Sequence, residues 1–197
     1  MKDLIIGKQL NVIKKYNNFD DDKLAVIKYG LESIYILITK TIIILLISYL
    51  LGLLKQTVIF LVCYNLIRIP SFGLHATKSW ICLVSSLLIF IILPFICTVI
   101  TIPIYLKIII GLIGLAFIIK NAPADTYKRP IISKKRRMFF KICSSIVTIT
   151  MILFSLFIED QFLANSLLFS IILQCFMISP TVYKFFKLPY NNYKRYV

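Results

Sequence analysis

The sequence predicts an all-α protein, a polytopic transmembrane helix bundle, and two observations predict it. The mean hydropathy of the 197 residues is +0.89, and 59% of them are hydrophobic, which is well above the usual composition of soluble domains. Apolar runs of about 20 residues, the length that crosses the hydrocarbon core of a bilayer, also follow one another from residue 34 to residue 183. A soluble domain with a single hydrophobic anchor is therefore excluded.

About six hydrophobic segments follow an N-terminal stretch, residues 1–32. In that stretch apolar residues such as Leu10 and Tyr16 lie among lysines at roughly helical spacing, which predicts an amphipathic helix in the membrane interface. The second and fourth hydrophobic segments are short and either cross the membrane or are re-entrant, and Gly111 and Gly114 would allow close helix contact in the fourth. The segments are 34–54, 57–69, 81–102, 104–119, 142–158 and 162–183.

The positive charges predict how the chain is threaded through the membrane. Of the 23 lysines and arginines, 18 fall in three stretches, 1–32, 120–141 and 184–197. By the positive-inside rule all three stretches are cytoplasmic, and with them both termini. The domain prediction follows: a cytoplasmic-face segment 1–32, a membrane domain 33–183 and a cytoplasmic tail 184–197. The linker 70–79 must then face the cytoplasm as well.

Charge and cysteine usage exclude several classes of protein. The net charge is +15, but the chain has no soluble basic face that could bind a nucleic-acid duplex. Nucleic acid is therefore excluded as a partner, and anionic lipid or an acidic partner is expected. The five cysteines are spread over four of the hydrophobic segments without a CxxC pair, which indicates neither a disulfide framework nor a zinc site. We predict no metal and no cofactor.

The segment 68–82 concentrates the residues that could carry chemistry. Ionisable side chains at membrane depth are usually functional, and this segment holds Arg68 and the only histidine of the chain, His75. An imidazole can take the proton of a nearby thiol, such as that of Cys82, and later protonate a leaving amine. Lys78 precedes Cys82 by four residues and would share its helix face, where a positive charge favours the thiolate.

The spacing of His75 and Cys82 makes a structural demand. An unbroken helix would hold their backbones about 10 Å apart, too far for direct proton transfer. Pro70 and Gly73 predict a loop before His75, from which the imidazole could fold back over a helix that carries Cys82. We therefore expect non-helical backbone around residues 70–77.

Two other interpretations stay open on the residues alone. A histidine at a membrane interface is often a polar anchor, and a cysteine in an apolar span is usually a small buried hydrophobe. A small transporter or channel could instead use Arg68, His75 and Lys78 as a permeation site. Other intramembrane protease chemistries lack their residues, because the sequence has no His-Glu-x-x-His and no pair of acids within the spans.

Two motifs resemble those of a known family. The order and spacing of Arg68, Gly73, His75 and Cys82 resemble the AgrB family, the accessory gene regulator membrane peptidases that mature quorum-sensing peptides of Gram-positive bacteria. The segment 121–137, which reads NAPADTYKRP and then KKRR after three residues, is similar to the Ala-Pro loop and basic run of that family. One departure is Phe72 before Gly73, where many members have a second glycine.

The resemblance implies a multi-pass cysteine endopeptidase of a Gram-positive cell membrane. Cys82 would be the nucleophile and His75 the general base and acid, while Arg68 and Gly73 would shape the site, with Lys78 beside them. The substrate would be an AgrD-type precursor peptide, released as a thiolactone or lactone ring after a thioester acyl-enzyme, and the enzyme would be a homodimer. Ala122 and Pro123 would either contact the substrate or form a tight turn. The basic residues that follow would determine the topology and secondarily contact the substrate: Lys128, Arg129, Lys134, Lys135, Arg136 and Arg137.

Overall fold

The computed structural model describes residues 2–16, 19–74, 79–127 and 130–195. Within these ranges the chain forms α-helices and one short 3-10 helix, with no β-strand, so the all-α prediction is confirmed. The helices are α1 (Lys2–Tyr16), α2 (Asp21–Leu50), α3 (Leu54–Ser71), α4 (Ser79–Val99), α5 (Ile104–Asn121), α6 (Lys134–Phe157), α7 (Gln161–Ile178) and α8 (Pro180–Phe185), followed by the 3-10 helix Asn192–Arg195.

Five of these helices are long and apolar enough to cross a membrane: α2, α4, α5, α6 and α7. α3 has 18 residues, as α5 and α7 do, but it is less apolar because it includes Lys55, Asn65 and Arg68. A helix of that length is about 27 Å long, close to the thickness of the hydrocarbon core. The protein is therefore a polytopic helical membrane protein, as its composition predicts.

The chain divides into two compact units, Met1–Ile47 and Ser48–Val197, which are described separately. The first contains α1 and most of α2. The expected boundary at residue 32 falls inside α2, which continues without interruption from its polar start at Asp21 into the apolar stretch. The division into a segment 1–32, a membrane domain and a tail remains a prediction.

In the second unit α7 is the central helix, because α3, α4, α5 and α6 all pack against it. More than half of its apolar stretch is buried, against 17% for α4 and α5. Small and polar side chains such as Ser166, Ser170 and Gln174 are fully buried on α7. Short side chains let helix backbones approach closely, which is how helices associate where lipid removes the hydrophobic driving force.

The two short hydrophobic segments, 57–69 and 104–119, lie in the unbroken helices α3 and α5 rather than in re-entrant hairpins. A Cβ atom on Gly111 would lie 3.0 Å from the side chain of Ile152 on α6, and one on Gly114 would lie 2.6 Å from that of Ile171 on α7. The prediction that these glycines permit close helix contact is confirmed.

One end of this unit brings together three loops that are far apart in sequence. The residue after α3, Phe72, forms an isolated parallel bridge with Ala124, which follows α5. The backbone N–H of Leu74 donates to the carbonyl of Met177 near the end of α7. The linker after α3, the loop 122–133 and the chain after α7 therefore share one end, as the charge pattern requires, while the side of the membrane they face remains a prediction.

Candidate active site

The helical path of α3 ends at Ser71, three residues before the described chain stops at Leu74. Phe72 and Gly73 have positive φ angles of 58° and 120°, which turn the chain sharply away from the helix axis. Non-helical backbone was expected around residues 70–77; residues 72–74 are non-helical, Pro70 and Ser71 still belong to α3, and residues 75–77 lie outside the described residues. His75 and Lys78 lie outside the described residues, so the distance from the imidazole to the thiol of Cys82 remains a prediction.

Arg68, in the last turn of α3, binds the loop that follows its own helix. Its guanidinium donates to the carbonyl oxygens of Phe72 at 2.6 Å, Gly73 at 3.2 Å and Leu74 at 2.7 Å. The planar fork of an arginine can serve several acceptors at once, whereas a lysine ammonium is a compact point charge. The loop 72–74 is thus folded around one cationic side chain.

Gly73 lies where no larger residue fits. A Cβ atom there would collide with the guanidinium of Arg68 and would lie 2.8 Å from the carbonyl oxygen of Met177. Its φ of 120° is also one that residues with a side chain rarely adopt. Its N–H donates to the carbonyl of Ala124 at 2.9 Å. The absence of a side chain at Gly73 therefore permits the close contact between this loop, Arg68 and α7, which is a physical reason for the expected role of Gly73 in shaping the site.

The other backbone groups of the loop are also paired. The N–H of Phe72 donates to the carbonyl of Arg68, and the side-chain amide of Gln174 on α7 donates to the carbonyl of Phe72 at 2.8 Å. The N–H of Leu74 donates to Met177. Every backbone donor and acceptor of residues 72–74 consequently has a partner within the protein. The loop is a fixed support that offers none of these groups to a ligand.

Cys82 lies in the first turn of the helix that follows, as the fourth residue of α4, and is half-buried. The N-terminal end of a helix carries a partial positive charge that stabilises negative groups close to it.

Two of the other cysteines, Cys63 and Cys97, are buried. The thiol of Cys175 donates to the carbonyl of Gly114 at 3.6 Å, which is a packing role between α7 and α5.

The Ala-Pro loop lies directly against the loop 72–74. The N–H of Ala124 donates to the carbonyl of Ser71 at 3.0 Å, and its carbonyl accepts from Gly73. Ala122 and Ala124 are buried, Pro123 is half-buried, and the peptide bond between Ala122 and Pro123 is cis. Both interpretations of Ala122 and Pro123, a tight turn and a contact with substrate, remain predictions.

The basic run begins helix α6. Lys134, Lys135 and Arg136 are exposed, and no acidic residue lies in the first turn of the helix. The guanidinium carbon of Arg137 lies 3.5 Å from the centre of the Tyr193 ring, a cation–π contact with the C-terminal segment. Lys128 and Arg129 lie outside the described residues. Three cations are therefore accessible to an anionic group at this end of the unit.

Two residues at this site were missed by the sequence analysis. Gln174 supports the carbonyl of Phe72, and its only sequence signal was an amide inside an apolar span. Asp125 is 3% exposed, and its carboxylate accepts the backbone N–H groups of Asn192 at 2.9 Å and Tyr193 at 2.8 Å. It is the only acid in the basic stretch 120–141, a signal that could have identified it.

The described side chains offer no group of three or more His, Cys, Asp or Glu residues that could hold a metal ion. The groups available at this end of the unit are a thiol, one carbonyl-bound guanidinium, the exposed cations of α6 and a hydrogen-bonded loop. Burial, and secondarily the carboxylate of Asp125, raise the pKa of Tyr190 above its usual value.

Fold and site together define a polytopic helical membrane protein with an arginine-clamped loop between α3 and the cysteine-bearing helix α4. The sequence model of one family, described as Accessory gene regulator B, matches residues 6–178. The chain belongs to that family, which confirms the resemblance seen in its motifs.

Several relatives match over most of their length. A protein of Listeria monocytogenes serovar 1/2a named AgrB-like is 35% identical over 181 residues, 90% of this chain and 87% of the relative. An AgrB-like protein of Clostridium acetobutylicum is 29% identical over 189 residues, 96% and 89% of the two chains. Accessory gene regulator protein B of Staphylococcus aureus strain Newman is 31% identical over 170 residues, 85% and 88%. No solved structure matches the chain.

Proposed function

We propose that the protein is a membrane cysteine endopeptidase that cuts an AgrD-type precursor peptide in an accessory gene regulator quorum-sensing system. The observation that carries the proposal is the clamped loop 72–74, which interrupts the helical path immediately before His75 and leaves Cys82 in the first turn of a new helix. Such a break is what a His75–Cys82 pair needs in order to meet. Family membership supports the link to accessory gene regulator peptides.

The reaction follows from the chemistry of the thiol. His75 takes the proton of Cys82, and the thiolate attacks the scissile carbonyl of the precursor. The tetrahedral intermediate collapses with loss of the C–N bond, and the histidine returns its proton to the leaving amine. The C-terminal fragment departs and the N-terminal part remains on Cys82 as a thioester.

Ring closure exchanges one thioester for another. A cysteine thiol within the bound precursor, or a serine hydroxyl in some precursors, attacks the acyl-enzyme carbonyl and releases Cys82 as its thiol. Thioester exchange is nearly neutral in free energy, whereas attack by water would discharge the intermediate irreversibly. Exclusion of water at the membrane surface therefore favours a thiolactone or lactone over a linear acid.

Charge supplies the recognition of the substrate. The exposed Lys134, Lys135 and Arg136, with Lys128 and Arg129 before them in sequence, would bind the acidic part of the precursor and the anionic lipid of the cytoplasmic leaflet. Ala122 and Pro123 would contact the precursor beside the loop 72–74. The same proposal includes cytoplasmic N- and C-termini and a homodimeric enzyme.

The competing function, a transporter or channel that uses Arg68, His75 and Lys78, receives less support. The guanidinium of Arg68 donates to three carbonyls of its own loop, so an anion passing through would have to displace those bonds. Such a displacement removes the fixation of the loop, which argues for a structural use of this cation.

The test is reconstitution of the full-length protein in liposomes with a synthetic precursor that has an internal cysteine and an acidic tail. Mass spectrometry should detect the C-terminal fragment and the cyclic product. Cys82→Ala and His75→Ala should each abolish both, because each removes half of one catalytic pair. Cys143→Ala, a half-buried cysteine on α6, is the matched control and should cut normally. Cleavage by Cys82→Ala at a rate near that of the wild type would show that the proposal is wrong.

A further inference from the structure

The chain after α8 folds back onto the Ala-Pro loop through Asp125. One carboxylate oxygen accepts the N–H of Asn192 at 2.9 Å, and the other accepts those of Tyr193 at 2.8 Å and Ile131 at 3.4 Å. The side-chain amide of Asn192 donates to the backbone carbonyls of Asp125 at 3.4 Å and Pro189 at 2.9 Å. We call residues 188–195 the C-terminal brace.

A buried carboxylate is costly unless it is fully hydrogen-bonded. Asp125 is 3% exposed, and backbone N–H groups supply the hydrogen bonds it needs. Two of the three donors belong to the brace, so removal of the brace would leave the carboxylate with only the long bond from Ile131. The position of the brace and the burial of Asp125 are thus energetically coupled.

Aromatic contacts hold the brace from two further sides. The Tyr190 ring packs edge-on against that of Tyr183, with the ring centres 5.1 Å apart, and Tyr193 lies beneath the guanidinium of Arg137. The hydroxyl of Tyr183 is fully buried and donates to the carbonyl of Asp125 at 3.3 Å. These contacts fix the brace against α8 and the start of α6.

Asp125 directly follows Ala124, the residue that is hydrogen-bonded to the loop 72–74. Its neighbour Ala124 donates to the carbonyl of Ser71 at 3.0 Å and accepts from the N–H of Gly73 at 2.9 Å. Hydrogen bonds therefore join the brace to Asp125, the peptide bond joins Asp125 to Ala124, and hydrogen bonds join Ala124 to the chain that precedes His75. A shift of Asp125 must move the partner groups of Ala124 relative to the loop.

We propose that Asp125 is a positioning residue through which the C-terminal brace holds the loop 72–74, and with it the approach of His75 to Cys82. Where it concerns catalysis, this inference rests on the proposed peptidase function. Asp125 does not touch the reacting atoms and acts through Ala124. Loss of its bonds should therefore lower the turnover number kcat and leave KM, which reflects substrate binding, nearly unchanged.

The experiment compares Asp125→Asn with Asp160→Asn in the full-length protein. Both substitutions exchange a carboxylate for an amide of the same shape, and Asp160 caps α7 by accepting from the N–H of Leu163 at 2.9 Å, near the opposite end of the unit. Hydrogen exchange of the Gly73 and Leu74 amides reports on the loop whether or not any peptide is cut. Cleavage kinetics report on catalysis.

Asp125→Asn should speed exchange at Gly73 and Leu74 and lower kcat by about tenfold with KM within about twofold, whereas Asp160→Asn should change neither. Unchanged exchange and unchanged kcat in Asp125→Asn would overturn the proposal. Faster exchange with no cleavage by the wild-type protein would refute the peptidase function and leave the brace supported.

Asn192→Ala decides the question if Asp125→Asn does not fold. This substitution removes the hydrogen bonds that the side-chain amide donates to the carbonyls of Asp125 and Pro189. It keeps the Asp125 carboxylate with its backbone N–H partners. A smaller loss of kcat, about threefold, with faster exchange at Gly73 is expected. If hydrogen exchange became faster only within residues 188–195 and kcat did not change, the brace would be packed against the site without positioning the loop.

Discussion

Gly73→Ala is the substitution that most directly tests the clamped loop. The added methyl group would occupy the position of the Arg68 guanidinium and would lie 2.8 Å from the carbonyl oxygen of Met177. The carbonyl belongs to α7 and cannot move freely, so the guanidinium must shift instead. Alanine would also have to adopt a φ of 120°.

The expected cost can be worked out from these two effects. A residue with a side chain in a sparsely populated backbone region costs about 1–3 kcal/mol. Displacement of Arg68 breaks at least one of its three bonds to carbonyls, and a hydrogen bond from a charged group is worth about 1.5–3 kcal/mol. The sum, about 2.5–6 kcal/mol, lowers the population of the native loop by a factor of about 70 to 25,000.

The assay is precursor cleavage by the reconstituted protein, with Gly52→Ala as the matched control. Gly52 also has a positive φ, 70°, but a Cβ there would have nothing within 4 Å. The control therefore carries backbone strain without the collision, and its cleavage rate should stay within about threefold of the wild type. If Gly73→Ala kept more than about a tenth of wild-type activity, or lost no more than Gly52→Ala, the collision with Arg68 would not matter and the reasoning would be refuted.

Two further predictions address the clamp and the topology. Arg68→Lys should lower cleavage by at least about tenfold, because one ammonium group cannot bind three carbonyls in the geometry of the guanidinium fork; a variant as active as the wild type would remove the clamp from the mechanism. Lys135→Cys should react with a membrane-impermeant thiol reagent only from the cytoplasmic side, and Glu159→Cys only from outside. Labelling of residue 135 from outside would show that the predicted topology is inverted, so that a precursor made in the cytoplasm could not reach the site.

The sequence was informative wherever one local pattern determines the structure. Hydrophobic runs mark the spans because every backbone polar group in lipid must be bonded within its own helix. Gly111 and Gly114 predicted close packing because they occur in an apolar helix, where a missing side chain has that one evident use. Pro70 and Gly73 predicted the break, although Pro70 lies inside α3 and the turn comes two residues later.

The partners of the loop could not be predicted because they come from distant parts of the chain. Gln174 is 102 residues from Phe72, and Asn192 is 67 residues from Asp125. Helical periodicity reports which face of a helix is apolar, and it contains no information on which polar group meets which carbonyl across the bundle. Asp125 was recognisable only as an acid among cations, a pattern that is compatible with an exposed ion pair as well as with the buried carboxylate that it is.

Arg68 illustrates how a charged residue in an otherwise largely apolar helix can be satisfied by the backbone of its own chain. A guanidinium there is costly unless its donors are bonded, and the three carbonyls that follow the end of α3 provide the acceptors. Among the described residues, the carbonyls of Gly73 and Leu74 accept only from Arg68, whereas that of Phe72 also accepts from Gln174, so the cation and the broken helix satisfy each other. Arg68 therefore has its hydrogen bonds without a substrate, and in the proposed mechanism the reacting groups are those of His75 and Cys82. For the same reason an arginine used in this way cannot be released to bind a substrate anion without loss of the loop that precedes His75.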